Sequence, residues 1–583
     1  MQLKRFIPIL QWLPSYTREQ ATSDIPAGLT VGVMLIPQGM AYALLAGLPP
    51  IYGLYGATIP IILYAIFGTS RQLAVGPVAM VSLLVASGVS TLAAGGTAEY
   101  LTLAIMLGAT VGVVQLTLGL FRLGFLVNFL SNPVIAGYTA AAALIIGLSQ
   151  LQHLLGLSIP RSRYVHEILI YAVQHVADIH WPTLLLGSAC IAIILLLKRI
   201  NRRIPGPLVA VVLSILAVWL LHLHEGGMKI VGEVPEGLPA LAAPTLVWDR
   251  IPELIPIALT IALVSFMESN AVATLMQAKH KHYKLNSSQE LVALGLANIS
   301  GSFFSAFPVS GGFSRTAVND QAGAQTPMAS IVSAILIVLT LLFLTPLFYL
   351  LPKAVLASVI MVAVFGLINF KGAIKLWKTD RRDFVMLIIT FITTLGLGIQ
   401  QGILTGVALS LGMVLYRNTY PHVAELGKLP GTHQFRNVSR FSEVVTRPDV
   451  LMMRFDAQLF FANSPVFRAK LAQYEAPKGP ALRLVVLDFA AVNGLDSTAL
   501  NVLQEVIADY KKRNIEVYLT SVKGPIRDIL YRSGLMDAIG RSNFFLDNET
   551  AMDHWDCNPH PDRGAQHPGV QTNLKESKRK ELV

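Results

Sequence analysis

Two charged side chains occupy stretches of sequence where charge is expensive. Arg315 ends the run Ser310-Gly311-Gly312-Phe313-Ser314-Arg315, and Glu268 lies midway through Ser265-Phe266-Met267-Glu268-Ser269-Asn270. A charge at the centre of a bilayer costs about 3 kcal/mol or more on insertion scales, so each needs a partner or a ligand. Arg315 supplies positive potential for an anion; equally, it can pair with Glu268 or Asp320. A carboxyl group withdrawn from water suits a proton-coupling role, and equally suits a counter-ion for the arginine. Gln38 and Tyr42, in Pro37-Gln38-Gly39-Met40-Ala41-Tyr42, are four residues apart and share a helix face. The proline weakens the helix there and the amide can donate to an anion, although lone polar side chains in spans commonly bond only a neighbouring helix.

The chain around these residues is interrupted. Segments 77–91 and 308–320 each contain Pro and Gly, are too short or too polar to span a membrane alone, and open with Pro-Val. If each begins a half-helix near the bilayer midplane, the unpaired N–H groups of Val78, Ala79 and Met80 face those of Ser310, Gly311, Gly312 and Phe313 across a cavity. Each helix N-terminus carries roughly half a positive charge. Together they make an anion site that needs neither metal nor cofactor, because backbone N–H donors replace water. The small residues at 310–312 let a ligand approach the backbone, and they are also ordinary helix-packing residues in membranes.

Such a site needs a bilayer-spanning scaffold, and composition supplies one. The 583 residues are 53% hydrophobic and 14% charged, against about 25% charged in soluble domains. Uncharged windows of about 20 residues, long enough to cross roughly 30 Å of hydrocarbon, recur between 25 and 416. We place spans near 27–46, 51–67, 101–120, 133–151, 181–197, 208–221, 255–276, 291–304, 330–348, 354–370, 384–398 and 402–416. With the two broken segments this gives about fourteen. A cytoplasmic N-terminus puts Arg71, Arg122, Lys198, Arg199, Arg202, Arg203 and the basic stretches 279–284 and 371–382 on the cytoplasmic side, with Arg161 and Arg163 as exceptions. An even number of segments returns the C-terminal part to the cytoplasm. The net charge of +11 follows from this placement, so no nucleic-acid partner is implied. The two cysteines, Cys190 and Cys557, have neither disulfide-like placement nor metal-ligand spacing, and no signal peptide is read at the N-terminus.

The broken segments occupy third place in each half. With an odd number of segments per half, the second half inserts upside down relative to the first, and inverted repeats meeting at short broken helices place a substrate near the midplane. An enzyme reading finds no nucleophile paired with a base: His153, His222, His224, His280 and His282 lie mostly outside the spans. An inert anchor for a sensor would need neither intramembrane charges nor broken helices.

Four motifs in order, Pro37 to Tyr42, Pro49-Pro50-Ile51-Tyr52-Gly53-Leu54-Tyr55, Gly68-Thr69-Ser70-Arg71 followed by Val75-Gly76-Pro77, and 298–319 centred on Gly311-Gly312-Phe313-Ser314-Arg315, resemble the sulfate permease family, relatives of the solute carrier 26 anion transporters and prestin. The resemblance implies an α-helical polytopic fold of fourteen segments in a seven-plus-seven inverted repeat, split into core and gate domains, and a homodimer. It implies an anion held between segments three and ten, with Gln38 and Tyr42 as first-segment site residues, Ser314 and Arg315 as the tenth-segment pair and Glu268 at the acidic position of proton-coupled members. The facing backbone N–H groups add Val78, Ala79, Gly311, Gly312 and Phe313 to the candidate site.

Beyond residue 421 charge returns to soluble proportions, which marks the main boundary. Short β-type runs at 451–455, 484–489 and 516–520 alternate with helical runs at 497–511 and 525–533, a small sheet with helices. This part resembles a STAS domain. Asp496-Ser497-Thr498 opens a helix, where Ser or Asp is an ordinary N-cap; Ser497 also matches the serine on which anti-sigma factor antagonists are phosphorylated, a regulatory role the cap makes unnecessary. The expected organisation is a cytosolic N-terminal segment 1–24, a transport domain 25–420, a linker 421–448, the STAS domain 449–555 and a disordered tail 556–583. The expected function is secondary active transport of a small anion, proton-coupled sulfate uptake by an elevator-like mechanism, in the lipid bilayer of a bacterial cytoplasmic membrane. Sodium-coupled bicarbonate transport, proton-coupled dicarboxylate transport and anion exchange are the alternatives.

Overall fold

The computed structural model describes residues 6–125, 131–157, 165–200, 205–245, 247–281, 283–366 and 368–558. Arg161, Arg163, Arg202, Arg203, His282 and residues 559–583 of the expected tail lie outside the described residues. Two compact units emerge, Met1–Leu411 and Gly412–Val583.

Each of the predicted segments falls wholly or largely on helix, the last, 402–416, continuing past the end of the first unit at Leu411. The first helix long enough to span, Arg18–Leu45, starts well before residue 25, because Thr17 and Gln20 form a reciprocal capping box that satisfies two end N–H groups. Six helical stretches among the described residues are long and apolar enough to cross a membrane, with four shorter apolar helical stretches beside them. Several crossings are made by glycine. A Cβ on Gly112 would sit 2.6 Å from the Ile299 backbone nitrogen and one on Gly295 2.6 Å from that of Leu116. Helices Ala98–Leu120 and Ser287–Ser302 therefore pack backbone to backbone, the small-residue contact that lipid-embedded helices favour.

Two buried carboxylates clamp loops to these helices. Asp24, fully buried, accepts the Gln325 and Thr326 N–H groups at 2.7 and 3.1 Å and the Thr326 hydroxyl at 2.5 Å. Glu290, also fully buried, holds Thr69 and Ser70 ahead of the first broken segment.

One element has no counterpart in the sequence reading. Strands β1 (Val75–Gly76) and β2 (Ser310–Gly311) pair antiparallel, Val75 opposite Gly311 and Gly76 opposite Ser310. They immediately precede the helices of the broken segments, Ala79–Val89 and Phe313–Gln321. The Pro-Val match is thereby corrected. Pro77 follows its strand whereas Pro308 precedes its own, so the two dipeptides are out of structural register.

In the second unit, β3 (Val423–Lys428), β4 (Phe435–Asn437), β5 (Val450–Phe455), β6 (Leu484–Asp488), β7 (Glu516–Thr520) and β8 (Phe544–Phe545) form one sheet in the order β4-β3-β5-β6-β7-β8. The β5 to β8 pairs are parallel and β3 runs antiparallel to both neighbours. Strand β6 is buried along its whole length, as parallel strands covered on both faces are. The final helix, Asn548–Cys557, runs into the first residues of the expected tail.

Candidate functional site

A buried polar network fixes β2. The Gly311 N–H donates to Ser269 Oγ at 2.8 Å, the Ser269 and Ser310 hydroxyls are 2.9 Å apart, and the Ser310 hydroxyl donates to the Ser265 carbonyl at 3.0 Å. Asn298 accepts the Val309 N–H at 2.7 Å and donates to Gln115, whose amide donates to Ser265 Oγ at 2.8 Å. A satisfied network of this kind holds a unique geometry in a low dielectric. Ser265 and Ser269, four apart on helix Ile251–His280, flank Glu268; with Gln115 and Asn298 they are mid-span polar residues the sequence reading passed over.

The pairing changes which N–H groups a ligand can use. Gly311 donates to Ser269 and Gly312 donates to the Ala74 carbonyl at 3.0 Å. Their expected role as free donors is corrected: the Ser269 hydroxyl has used one and the contact between the strand segments the other. Within the helices the first backbone bonds run from Ser82 to the Val78 carbonyl and from Thr316 to the Gly312 carbonyl. Neither end has a side-chain cap. The donors the helices leave open are those of Ala79, Met80 and Val81 and of Phe313, Ser314 and Arg315.

Arg315 is 2% exposed. Its Nη1 donates to the Pro77 carbonyl at 2.6 Å, tying the second half-helix to the entry of the first, while Nε and Nη2 have no hydrogen-bond partner. The expected pairing with Glu268 or Asp320 is corrected. Among the described residues Arg315 forms no salt bridge, and Asp320 is taken by Lys279 and His280 at 2.5 Å each. Room for the guanidinium comes from glycine: a Cβ on Gly312 would lie 3.2 Å from both Nη2 and Val78 Cγ1, and one on Gly76 3.4 Å from Nη2. Gly76 also has φ +147°, a conformation that side-chain-bearing residues avoid.

Gln38, Tyr42, Val78 and Ala79 are buried, whereas Phe313 and Ser314 are exposed. Tyr42, Glu268 and Arg315 lie close enough to interact electrostatically. Glu268 Oε2 is buried without a hydrogen-bond partner. Tyr138, on helix Asn132–Ser149, joins the group through Glu268, and its hydroxyl too is buried and unpartnered. Sequence reasoning missed Tyr138, since a single tyrosine among small apolar residues carries no periodic signal. Gln38 sits one turn before Tyr42. Beside it the first helix presses on Gly53, where a Cβ would lie 1.9 Å from the Gly39 carbonyl oxygen.

Residues 22–390 match the Sulfate permease family and residues 442–551 the STAS domain. The chain belongs to the sulfate permease family. This is a family of transporters, and the protein is a multi-pass membrane protein with a C-terminal STAS domain. It is 39% identical over 557 residues to the probable sulfate transporter 4.2 of Arabidopsis thaliana, covering 92% of this chain and 82% of that one. It is 38% identical to the chloroplastic sulfate transporter 4.1 of the same plant, covering 92% and 81%. The murine solute carrier 26 family member A9 anion transporter, solved in the inward-facing state, superposes with a TM-score of 0.88 at 26% identity over 95% of this chain and 94% of that one. The transmembrane domain of the cyanobacterial bicarbonate transporter BicA shares the fold, with a TM-score of 0.59 at 23% identity over 68% of this chain and 99% of that one.

In this permease Ser497 is the exposed first residue of helix Ser497–Lys512. Of the two expected N-cap candidates Asp496 takes the role, accepting the Ala499 N–H at 2.8 Å and the Phe461 N–H at 2.8 Å.

Proposed function

We propose that this permease takes up sulfate together with protons by alternating access. The anion binds where the two half-helix N-termini and the Arg315 guanidinium converge. The observation that carries this reading is Arg315 itself: buried, held by one nitrogen on the Pro77 carbonyl, and left with two unpartnered donors, with Nη2 beside Gly76 and Gly312 at the entries of the two half-helices. A tetrahedral oxyanion accepts many hydrogen bonds at once, which suits donors that come from two helix ends and one fork-shaped cation. Ser314, Gln38 and Tyr42 complete the donor set, Val78 and Ala79 line it at the first half-helix, and Gly311, Gly312 and Phe313 shape its other wall.

Glu268 couples the proton. With its carboxyl protonated, the charge of Arg315 is free to hold a dianion; when the proton leaves, the carboxylate competes for Arg315 and the anion is released. Because binding free energies are reciprocal, anion binding in turn favours the protonated acid. Core helices carrying the site move against the helix that bears Tyr138 in an elevator-like step, within a homodimer of about fourteen-segment subunits whose termini and STAS domain face the cytoplasm of a bacterial cell. Phosphorylation of Ser497 would be a means of regulation separate from this cycle.

The test is accumulation of labelled sulfate in proteoliposomes under an imposed inward proton gradient, with bicarbonate and fumarate as competitors. The expected result is gradient-dependent accumulation in the wild type, sulfate binding without accumulation in Glu268→Gln, and binding weakened by about 10- to 100-fold in Arg315→Ala. Accumulation by Glu268→Gln equal to the wild type refutes the coupling role. Displacement of sulfate by bicarbonate or fumarate at lower concentration replaces the cargo.

A further inference from the structure

Between the helices Lys353–Phe365 and Arg381–Leu397 lies a ten-residue helix, Phe370–Thr379, of unusual character. Asn369 leaves the helical region with φ −100° and ψ 77° and caps the segment by accepting the Gly372 N–H at 2.8 Å. Asp380 ends it and caps the next helix, accepting the Arg382 N–H at 2.9 Å. The segment is therefore a separate helix, not a continuation of either neighbour. None of its residues is buried.

Phe370, Ile374 and Trp377 are 71%, 58% and 52% exposed. At 3.6 residues per turn they fall on one face, and Lys371, Lys375 and Lys378 form a ridge along one border of it. Among the described residues none of the three lysines has an acidic partner. Trp377 is fixed at the end of the stripe by an edge contact with Phe384 at 5.0 Å and by Arg381 over its ring at 5.5 Å. A bare Phe/Ile/Trp face edged with lysine is what a helix lying in the bilayer interface presents: rings and branched chains enter the acyl boundary while lysine stems reach up to the headgroups.

We propose that helix Phe370–Thr379 is a binding surface for anionic phospholipid. The proposal rests on the chain being a membrane protein and not on its cargo. Three arguments fix the occupant. The helix is tethered at both ends to apolar helices of the membrane unit, which keeps it at the bilayer surface. Its apolar face is too small for a stable protein partner and is matched to acyl chains. The charge beside that face is positive, complementary to lipid phosphate, and each lysine near an anionic surface favours contact about fivefold.

The full-length protein is reconstituted in phosphatidylcholine vesicles with and without phosphatidylglycerol, and tryptophan fluorescence is quenched by brominated acyl chains on one lipid or the other. The Trp377 signal is the difference between wild type and Trp377→Phe. The expected result is quenching of that signal by brominated lipid, several-fold stronger when the bromine is on phosphatidylglycerol than on phosphatidylcholine at equal mole fraction. The triple variant Lys371→Gln, Lys375→Gln, Lys378→Gln should lose the preference but keep the quenching, and the triple Lys→Arg variant should keep both. No quenching of Trp377 by either lipid overturns the proposal, because the face is then covered by protein. Equal quenching by both lipids in the wild type overturns it as well, because the ridge then selects no headgroup.

Discussion

Replacing Glu290 should loosen the candidate site from a distance. Four donors converge on this buried carboxylate: the Tyr64 hydroxyl, the Thr69 N–H and the Thr69 hydroxyl at 2.6 Å each, and the Ser70 N–H at 3.1 Å. Glu290 lies in the first turn of Ser287–Ser302, where the helix end itself favours a negative charge. The loop it grips leads into Gln72, whose carbonyl accepts from Asn319 at 2.9 Å, and into Ala74, whose N–H donates to Thr316 Oγ1 at 3.0 Å and whose carbonyl receives Gly312. Glu290→Ala strips two backbone amides and two hydroxyls of their acceptor. At about 1–3 kcal/mol for each buried donor left unmade, partly relieved by rearrangement, the loss is about 4–6 kcal/mol. Glu290→Gln keeps one oxygen for the Thr69 and Ser70 donors, forces the Tyr64 hydroxyl to turn and accept from the new NH2, and loses charge assistance, about 2 kcal/mol in all. The assay is the temperature at which detergent-solubilised protein leaves the monodisperse peak, together with sulfate affinity in the fraction that remains folded. Stability should fall in the order wild type, Gln, Ala, and affinity should fall with it, because β1 enters the first half-helix and pairs with β2, which enters the second. An alanine variant as stable as the wild type, or a glutamine variant as damaged as alanine, refutes the argument that acceptor geometry holds the loop.

Arg315→Ala should weaken sulfate binding by about 10- to 100-fold, the worth of one charged hydrogen bond, read by calorimetry on the full chain. Arg315→Lys should fall between, since one ammonium cannot hold the Pro77 carbonyl and present a two-donor fork. Gly53→Ala should prevent accumulation of folded protein, as its Cβ would lie 1.9 Å from the Gly39 carbonyl oxygen; normal expression and a monodisperse peak would contradict the crossing. The STAS domain should lose stability in acid. Burial pushes the Asp449 carboxyl up, but the Arg447 hydrogen bonds at 3.0 and 2.7 Å, its charge and the Trp555 N–H outweigh this and leave it below the ordinary range. Asp547 is held low by the Thr550 N–H and hydroxyl. A depressed folded-state value contributes stability above the unfolded value, about pH 4, and loses it as pH falls further; hydrogen exchange of β5 and β6 in the full chain should accelerate there, and Asp449→Asn should lessen the change.

The chain order of polar and apolar residues by itself determined the membrane class, the helical segments, the two broken ones, the expensive pair Glu268 and Arg315, and the alternation of strands and helices after Val450. Each of these depends on local composition or period, which burial in lipid or in a sheet writes directly into the sequence. Family motifs added Gln38 and Tyr42, which position alone could not separate from packing residues. What only the tertiary structure decided are contacts between residues far apart along the chain. The pairing of β1 with β2 consumes the Gly312 donor and shifts the Pro-Val dipeptides out of register, and Ser269 takes the Gly311 donor. Arg315 finds the Pro77 carbonyl 238 residues away instead of a carboxylate, Asp496 and not Ser497 takes the cap, and Tyr138 comes near Glu268 from another helix. A two-residue strand has no period to read, and a hydrogen bond to a backbone carbonyl leaves no trace in side-chain identity, so these features follow from packing alone.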